Sequence, residues 1–392
     1  MFERDYVKTV VDRLSESRQF IQIIMGPRQT GKSTSATQVL SHLKLPSIEY
    51  SFDRPRDLNI EKLEEVWGRA RAVEAEHGSA ILLLDEIQNI PQWSSGVKSL
   101  WDEDARLNRD IRVLITGSSA LMLKSGLAEA LTGRFEILRS THWTLWECVQ
   151  AFDYTLDDFL YFGGYPGAAP LRSDETRWYD YMVDSIIDPT LNKDVLELEP
   201  IRKPALLRAL FELGASFSGQ EISYRKILGQ LDDKGNTETI AHYLDLLSQA
   251  GLLTGLKKYS PKVLEAKTSS PRMLVHDTSL MVAASGEDRS ALLEIPELRG
   301  HLVESAIGAY LLARSHKEHF DVFWWRDGSA EVDFVIKKGR KRTALEVKSG
   351  RPKHTKGLGD FVSRFPGTYS LIVGSAEFPI EDFLLGKVPL FQ

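Results

Sequence analysis

The feature that most constrains this chain is an eight-residue motif that follows a short apolar run near its N-terminus. Residues 20–25 have the length and apolar character of a strand, and residues 32–43 have helical spacing. Between them the sequence matches G-x-x-x-x-G-K-[ST] at every fixed position. In a strand–loop–helix setting the glycines let backbone N–H groups approach phosphates, so the pattern predicts a phosphate-binding loop. The candidate binding residues are Gly26, Pro27, Arg28, Gln29, Thr30, Gly31, Lys32, Ser33 and Thr34.

Two residues of this loop have separate predicted roles. Lys32 is expected to reach the β- and γ-phosphates of ATP, and the hydroxyl of Ser33 is expected to bind Mg²⁺. The alternative is a chance match in a glycine-containing turn. The strand before the motif and the helix after it favour the phosphate site.

A second apolar run, residues 81–84, ends in two acids, Asp85 and Glu86. Asp85 is expected to hold the Mg²⁺ shell, and Glu86 is expected to polarise the attacking water. Two acids at the end of a strand are otherwise an ordinary solvated turn. The complete phosphate loop upstream favours the catalytic interpretation.

A third apolar run, residues 111–115, is followed by Thr116 and Ser118. Runs of this kind separated by helix-length stretches indicate a parallel sheet buried on both faces, placed at residues 1–150. Thr116 and Ser118 are candidate sensors of the γ-phosphate or the water, or they cap the next helix. Arg134 is a candidate finger for its own or a neighbouring subunit, or a surface arginine.

Composition excludes several classes of protein. The 392 residues predict two or three domains, and 49 basic against 55 acidic residues exclude a uniformly basic nucleic-acid binder. No apolar run is long enough to span a membrane, so we expect a soluble, cytoplasmic protein without a membrane partner. Cys148 is the single cysteine, which excludes an internal disulfide and a cysteine-based zinc site.

The charge is concentrated in one segment. Residues 1–150 have a net charge of -2 and residues 151–200 of -8, whereas residues 201–265 and 266–392 each have +2. The acidic segment is expected to be a helical connector. A nucleic-acid surface in the C-terminal half therefore remains compatible with the overall charge of -6.

Residues 201–265 show three helix-length segments closed by a short strand, a pattern typical of a winged helix. The third helix, 237–250, would be the recognition helix with Thr237 as its N-cap. Without an arginine it is poorly equipped to read guanine, and we expect either DNA binding with little sequence preference or a protein contact. The outward residues are Asn236, Thr239, His242 and Asp245, and the wing lysines are Lys257, Lys258 and Lys262.

Together these motifs resemble a known family, the bacterial and archaeal AAA-like ATPases whose C-terminal half is domain of unknown function 4143. The resemblance rests on residues 26–33, 81–88, 116–119, 131–134 and 161–166. It implies an ASCE-type ATPase core, a winged helix and a fold like that of PD-(D/E)xK nucleases. It also strengthens the finger or sensor role of Arg134. The chain departs from the family at Pro189, which should end or kink a helix.

The C-terminal segment carries a second candidate site on a predicted hairpin. Glu346 and Lys348 share a strand face, Asp333 lies on the partner strand, and Glu304 lies on the preceding helix. Asp333 and Glu346 could bind Mg²⁺ while Lys348 orients a water for phosphodiester attack, or the strand is simply an exposed one with alternating charge. The predicted hairpin tip is basic, with Lys337, Lys338, Arg340, Lys341 and Arg342.

The predicted fold class is α/β. An ASCE/AAA-like parallel-sheet domain at 1–150 precedes an acidic connector at 151–200, a winged helix at 201–265 and a nuclease-like α/β domain at 266–392. The leading function is a Mg²⁺-dependent ATPase coupled to DNA, with metal-dependent cleavage left open. The alternative is a STAND-type nucleotide switch with an inert nuclease-like domain, acting through a protein partner. Homo-oligomerisation stays open.

Overall fold

The fold is taken from a computed structural model that describes residues 2–118, 127, 130–196, 201–231, 236–261, 269–350 and 356–392. The chain forms two compact units, residues 1–141 and residues 142–392. Among the described helices, none has the length and apolar character that crossing a membrane requires. The predicted boundaries at residues 200 and 265 fall inside the second unit and stay predictions.

The first unit is built on a five-stranded parallel sheet in the order β2-β3-β4-β1-β5. This confirms the predicted parallel α/β sheet, whose three predicted strands are β1, β3 and β4. The two edge strands were not predicted, because β2 is short and largely solvent-accessible. The bounds are α1 Asp5–Ser15, β1 Ile21–Gly26, α2 Lys32–Leu43, β2 Ser47–Ser51, α3 Ile60–His77, β3 Ala80–Asp85, α4 Trp93–Arg106, β4 Ile111–Ser118 and β5 Phe135–Arg139.

The central strands are apolar along their length because both faces of the sheet are covered. Ile23 packs with Trp67 of α3 on one face, and its neighbour Ile24 packs with Val39 of α2 on the other. Successive strand residues point to opposite faces, so each must be apolar. Since all five strands are parallel, their carboxyl ends meet at one edge, where loops place polar side chains together.

The second unit contains a helical region followed by a four-stranded sheet in the order β11-β10-β9-β8. A long helix, α13, precedes β8, and α14 joins β10 to the parallel strand β11. The helices are α5 Leu145–Phe152, α6 Leu156–Phe162, α7 Glu175–Tyr181, α8 Pro204–Ser216, α9 Tyr224–Gln230, α10 Thr237–Gln249, α11 Thr278–Ser285, α12 Arg289–Glu294, α13 Pro296–Glu318, α14 Lys356–Arg364 and α15 Ile380–Leu384. The strands are β6 Leu253–Leu256, β7 Arg272–Val275, β8 Asp321–Asp327, β9 Ala330–Lys338, β10 Lys341–Val347 and β11 Thr368–Val373.

Part of the predicted wing is bound to the C-terminal sheet. The backbone N–H of Tyr259 donates to the carbonyl of Trp324 at 2.6 Å, and the N–H of Trp324 donates to the carbonyl of Lys257 at 3.2 Å. Residues 257–259 therefore cover the edge of β8. Such pairing protects an edge strand, and it fixes the backbone of a segment that the wing prediction left exposed.

Two local predictions differ from the structure. The N-cap of α10 is Asn236 and not Thr237, because the Asn236 side chain accepts a hydrogen bond from the N–H of Thr239 at 2.7 Å. The helix does not end at Pro189, since π-helical turns at Met182–Ile187 and Thr190–Val195 flank it. In a π-helical turn the hydrogen bonds join residues five apart instead of four, so the carbonyls that receive an N–H donor shift along the helix. A proline, which has no N–H to donate, can be accommodated at such a point.

The Gly163–Gly164 pair allows two segments to approach closely. Gly163 has a φ of +68°, and a Cβ there would lie 1.9 Å from Oδ1 of Asp277. The N–H of Gly164 donates to Oδ2 of Asp277 at 2.8 Å, and a Cβ on Gly164 would lie 2.2 Å from the carbonyl oxygen of Trp143. Only glycine fits either position, so the motif at residues 161–166 has a packing role.

We expect Gly163→Ala to lower the free energy of unfolding of the second unit by about 3 kcal/mol, through its positive φ and the clash with Asp277. Gly328→Ala is the matched control, because its φ is +58° but a Cβ would have nothing within 4 Å. The control should cost about 1 kcal/mol. Chemical denaturation measures both values, and equal losses would contradict the packing role.

Candidate functional site

The predicted phosphate loop lies between β1 and α2, at the carboxyl edge of the first sheet. Gly26 ends β1 where a Cβ would lie 1.9 Å from the carbonyl oxygen of Ser140, so the close approach requires glycine. Gly31 has a φ of +87° and is the N-cap residue of α2. Both glycines of the motif thus have conformational reasons to be there, and the N-terminus of α2 faces the loop.

The side chains of the loop divide into buried and accessible ones. Thr30 and Lys32 are buried, and Nζ of Lys32 donates to the carbonyl of Pro27 at 2.6 Å. The accessible or half-buried side chains, which line the outside of the loop and the first turn of α2, are Arg28, Gln29, Ser33 and Thr34. Lys32 is therefore held inside the curve of the loop.

The carboxylate of Asp85 joins the loop to the neighbouring strand ends. The hydroxyl of Ser33 donates to Oδ2 of Asp85 at 3.0 Å, and the hydroxyl of Thr116 donates to Oδ1. These residues come from α2, β3 and β4, which the parallel sheet brings together at one edge. A carboxylate and hydroxyl oxygens are the donors that Mg²⁺ prefers, so this set fits the ion that the sequence predicted.

Glu86 lies next to Asp85 in a left-handed conformation, with a φ of +52°. Burial raises the pKa of its carboxyl group, and the charge of Lys32 acts in the opposite direction. Gln88, which the sequence interpretation had not assigned to the site, donates from Nε2 to the Glu86 carboxylate. Among the described residues, the buried Oε1 of Gln88 has no hydrogen-bond partner. Glu86 is thus an oriented carboxylate beside the phosphate loop.

A buried polar network supports the loop from below. The hydroxyl of Thr30 lies 3.1 Å from that of Ser140, and Nη1 of Arg4 donates to the same hydroxyl at 3.0 Å. The Arg4 guanidinium also donates to the carbonyl of Thr141 at 2.8 Å. Arg4 and Ser140 lie far from the motif in sequence, so no local pattern could reveal them.

Arg134 is not placed to act on a phosphate bound by its own chain. Its carbonyl accepts from the N–H of Ile21, at the start of β1, whereas the phosphate loop follows the end of that strand. A six-residue strand separates the two edges by about 16 Å. The guanidinium makes a bidentate pair with Asp102, at 2.7 and 3.0 Å. This position favours a neighbouring subunit over the same chain as the target of Arg134, and the finger role stays a prediction.

Two predicted contact residues cannot be placed. The side chain of Ser118, the second candidate sensor, lies outside the described part of the chain, as does Lys262 of the predicted wing.

The structure brings the four predicted residues of the C-terminal site together. Nζ of Lys348 donates to Oε1 of Glu346 at 2.6 Å, and Oδ2 of Asp333 accepts from the N–H of Val347 at 2.8 Å. Glu304 of α13 lies in the same cluster, because its Oε1 and Oδ1 of Asp333 are 3.0 and 3.6 Å from the guanidinium nitrogens of Arg272. The predicted juxtaposition on β9, β10 and the preceding helix is therefore present.

The sequence interpretation missed the buried arginine among these carboxylates. Nη2 of Arg272 lies 3.0 Å from Oε1 of Glu304 and 2.9 Å from Oε1 of Glu331. Nη1 lies 3.6 Å from Oδ1 of Asp333, and only 6% of the Arg272 side chain is exposed. The one available sequence signal is an arginine at the start of an otherwise apolar strand, β7.

Burial is the main cause of the perturbed ionisation in this cluster. It raises the pKa of Glu304 to about 8, and it also raises the pKa of Asp333 and of Glu346. For Arg272, burial lowers the pKa, but the surrounding carboxylates outweigh it and the net shift is upward. Arg272 is therefore a permanent cation here.

The C-terminal carboxylates as placed do not fit a divalent cation. Arg272 is within ion-pair distance of Glu304, Glu331 and Asp333, and Lys348 binds Glu346. Within the described residues, no group of three His, Cys, Asp or Glu side chains is arranged to hold a metal ion. Arg272 thus opposes the metal role predicted for Asp333, and Lys348 opposes the one predicted for Glu346, so we derive no cleavage step from this cluster.

The two predicted DNA-contacting surfaces differ in charge. Exposed residues of α10 and its cap include Asn236, Glu238, His242 and Asp245, whereas Lys257 is the exposed wing lysine that the structure describes. At the tip of the β9–β10 hairpin, Lys337, Lys338, Arg340 and Lys341 are exposed, while Arg342 donates to Tyr259 at 2.6 Å. Asp333 lies four residues before Lys337 in β9, about 13 Å along the strand, so the tip is separate from the carboxylate cluster.

Family models match three consecutive segments of the chain. Residues 18–149 match an AAA domain, residues 153–291 match domain of unknown function 8612, and residues 299–390 match domain of unknown function 4143. The 4143 match therefore lies within the C-terminal domain that was predicted at residues 266–392.

Several relatives match most of the chain. Uncharacterized proteins of Mycobacterium tuberculosis and Mycobacterium bovis are each 26% identical over 385 residues, covering 95% of this chain and 80% of theirs. An uncharacterized protein of Haemophilus influenzae is 23% identical over 357 residues, covering 86% of this chain and 84% of its own.

Solved structures show partial likeness. The Aeropyrum pernix ORC1 protein in complex with DNA has a TM-score of 0.33 and 14% identity, covering 73% of this chain and 93% of its own. Thermotoga maritima RuvB has a TM-score of 0.32 and 18% identity, covering 65% of this chain and 86% of its own. Likenesses this partial say nothing about the role of this chain. The N-terminal part of the chain thus matches an AAA domain and its C-terminal part matches domain of unknown function 4143, as its motifs predicted.

Proposed function

We propose that this protein binds ATP with Mg²⁺ at the carboxyl edge of its N-terminal sheet and hydrolyses it. The observation that carries this proposal is the convergence of Ser33 and Thr116 on Asp85, with the buried Lys32 in the adjoining loop. Backbone N–H groups of the loop would bind the phosphates, and Lys32 would exchange its contact with the Pro27 carbonyl for phosphate oxygens. Ser33 and Asp85 would hold Mg²⁺, which when bound would offset the charge that develops on the phosphate oxygens.

Glu86 is the residue that we propose to activate water. Its raised pKa brings a carboxylate closer to the range in which it accepts a proton at neutral pH. Gln88 fixes one carboxylate oxygen of Glu86, and the unpartnered Oε1 of Gln88 is a buried acceptor beside it among the described residues. A water between the two acceptors could donate one proton to each, which would aim its lone pair at the γ-phosphate.

Substitutions in the loop and at Glu86 should separate binding from hydrolysis. Glu86→Gln should bind ATP normally but lower kcat at least about 100-fold, because the acceptor for the water proton is removed. Lys32→Ala should weaken ATP binding as well. The matched control is Lys8→Ala, an exposed lysine of α1 that should leave both unchanged. Full ATPase activity in Lys32→Ala would overturn the phosphate-site assignment.

The pH profile should reveal the contact between Gln88 and Glu86. The hydrogen bond from Gln88 stabilises the ionised carboxylate, so its removal in Gln88→Ala raises the pKa of Glu86 further. The acid limb of the kcat profile, which requires ionised Glu86, should then move to higher pH. Gln230→Ala, at an exposed position of α9, should not move it. An unchanged acid limb in Gln88→Ala would exclude Glu86 as the titrating base.

We further propose that DNA is the polyanion to which ATP turnover is coupled. Support comes from the four exposed basic side chains of the β9–β10 tip, since lysine and arginine clusters neutralise phosphates without reading sequence. The recognition helix supports the alternative, a nucleotide switch with a protein partner. Its exposed Glu238 and Asp245 would repel a phosphate backbone.

DNA binding by the hairpin tip predicts a specific salt dependence. The Lys337→Ala and Lys338→Ala double variant should bind duplex DNA more weakly, and the slope of log affinity against log salt should fall by about 0.9 for each DNA phosphate that is no longer neutralised. A Lys8→Ala and Lys387→Ala variant matches its net charge and should bind as the wild type does. ATPase activity that DNA leaves unchanged would instead favour the protein-gated switch.

A further inference from the structure

The guanidinium of Arg272 lies in a buried site with several hydrogen-bond acceptors and does not form an ordinary surface ion pair. Besides its three carboxylate neighbours, it donates from Nε to the carbonyl of Gly219 at 2.7 Å and from Nη1 to the carbonyl of Asp333 at 2.8 Å. Gly219 has a φ of +80°, and its Cα faces the Glu304 carboxylate. The N–H groups of the planar guanidinium are therefore surrounded by backbone carbonyls and carboxylates, and the Arg272 side chain is almost fully buried.

This arrangement competes directly with a divalent cation. Mg²⁺ needs several oxygens at about 2.0–2.1 Å, converging from carboxylates such as those of Glu304 and Asp333. Those carboxylates face the Arg272 guanidinium instead. An arginine stays protonated in proteins, so it cannot lose its charge to admit a metal. The neighbouring Lys348 and Arg326 neutralise Glu346 and Glu331 in addition.

Arg272 also joins the helical region to the C-terminal sheet within the second unit. It begins β7, which pairs with β6, and its contacts reach Glu304 of α13 and Glu331 of β9. Its Nε contact with the Gly219 carbonyl reaches the segment before α9, where a backbone β-bridge also pairs Glu221 with Arg272. One buried side chain thus connects four segments that are distant in the sequence.

We infer that Arg272 is the resident cation of the C-terminal carboxylate cluster and takes the place of a catalytic metal ion. The cluster then has a structural role, in which it holds the helical region of the second unit to the C-terminal sheet. The nuclease-like sheet does not carry out metal-dependent phosphodiester cleavage. This inference is independent of ATP hydrolysis in the first unit, because every residue that carries it lies between residues 219 and 348.

Mn²⁺ binding to the full chain tests the inference. An Asp85→Asn background without nucleotide removes the proposed metal ligand of the first unit. With Arg272 intact, electron paramagnetic resonance titration should detect no stoichiometric Mn²⁺. With Arg272→Ala added, one Mn²⁺ per chain should bind, and the midpoint of thermal unfolding should fall without Mn²⁺ and recover with it, because uncompensated buried carboxylates destabilise the fold. Arg326→Ala removes a more exposed arginine from the same Glu331 and should not admit Mn²⁺.

Two outcomes would overturn the inference. One is a stoichiometric Mn²⁺ bound with Arg272 intact and absent in Asp333→Asn, accompanied by DNA cleavage that Lys348→Ala abolishes. The other is a folded Arg272→Ala that takes up no Mn²⁺. Should Arg272→Ala not fold, Arg272→Gln provides the second variant, since its amide retains part of the hydrogen bonding to the Gly219 carbonyl.

Discussion

The carboxylate of Asp85 holds together the edge of the N-terminal sheet on which the proposed chemistry depends. It accepts from Ser33, in the first turn of the helix after the phosphate loop, and from Thr116, at the end of the adjacent strand. The strand order brings these positions together, because β4 lies between β1 and β3 and all three are parallel. Without that topology the three oxygens would be remote, and the loop would lack a partner for a metal ion.

Buried contacts of Ser140 hold the phosphate loop in position. Ser140 lies at the end of β5, where its carbonyl touches Gly26 and its hydroxyl contacts Thr30 and Arg4. Buried hydrogen bonds of this kind are costly to leave unmade, so they restrict the loop to one conformation. The loop can therefore present its N–H groups without a large ordering cost when phosphate binds.

The sequence predicted the three inner strands of the first sheet and the phosphate-loop motif, because each of these is a local pattern. Apolar runs identified β1, β3 and β4, and hairpin alternation placed Asp333 and Glu346 together. It could not identify Arg272, whose role depends on carboxylates 59 and 61 residues away in Glu331 and Asp333. Ser140 and Arg4 were missed for the same reason, because the residues that they contact are also distant in the sequence. The choice between a finger in cis and in trans stayed open for Arg134, because its proximity to β4 in sequence did not reveal that it directly precedes β5, at the opposite edge of the sheet.

The two units carry acidic clusters with opposite consequences. In the first, Asp85 faces hydroxyl groups and a phosphate loop, which leaves its charge available to a metal ion. In the second, Glu304, Glu331 and Asp333 already face a buried guanidinium. Identical residue types therefore predict different chemistry, and the nearest cation decides between them.

The most direct test of the proposed ATP site is the effect of Mg²⁺ on ATP affinity, measured by calorimetry with the wild type and with Asp85→Asn. Mg²⁺ should tighten ATP binding to the wild type. Asp85→Asn should lose this gain while keeping its affinity for ATP without Mg²⁺. An equal gain from Mg²⁺ in both proteins would contradict the assignment of Asp85 and the site built around it.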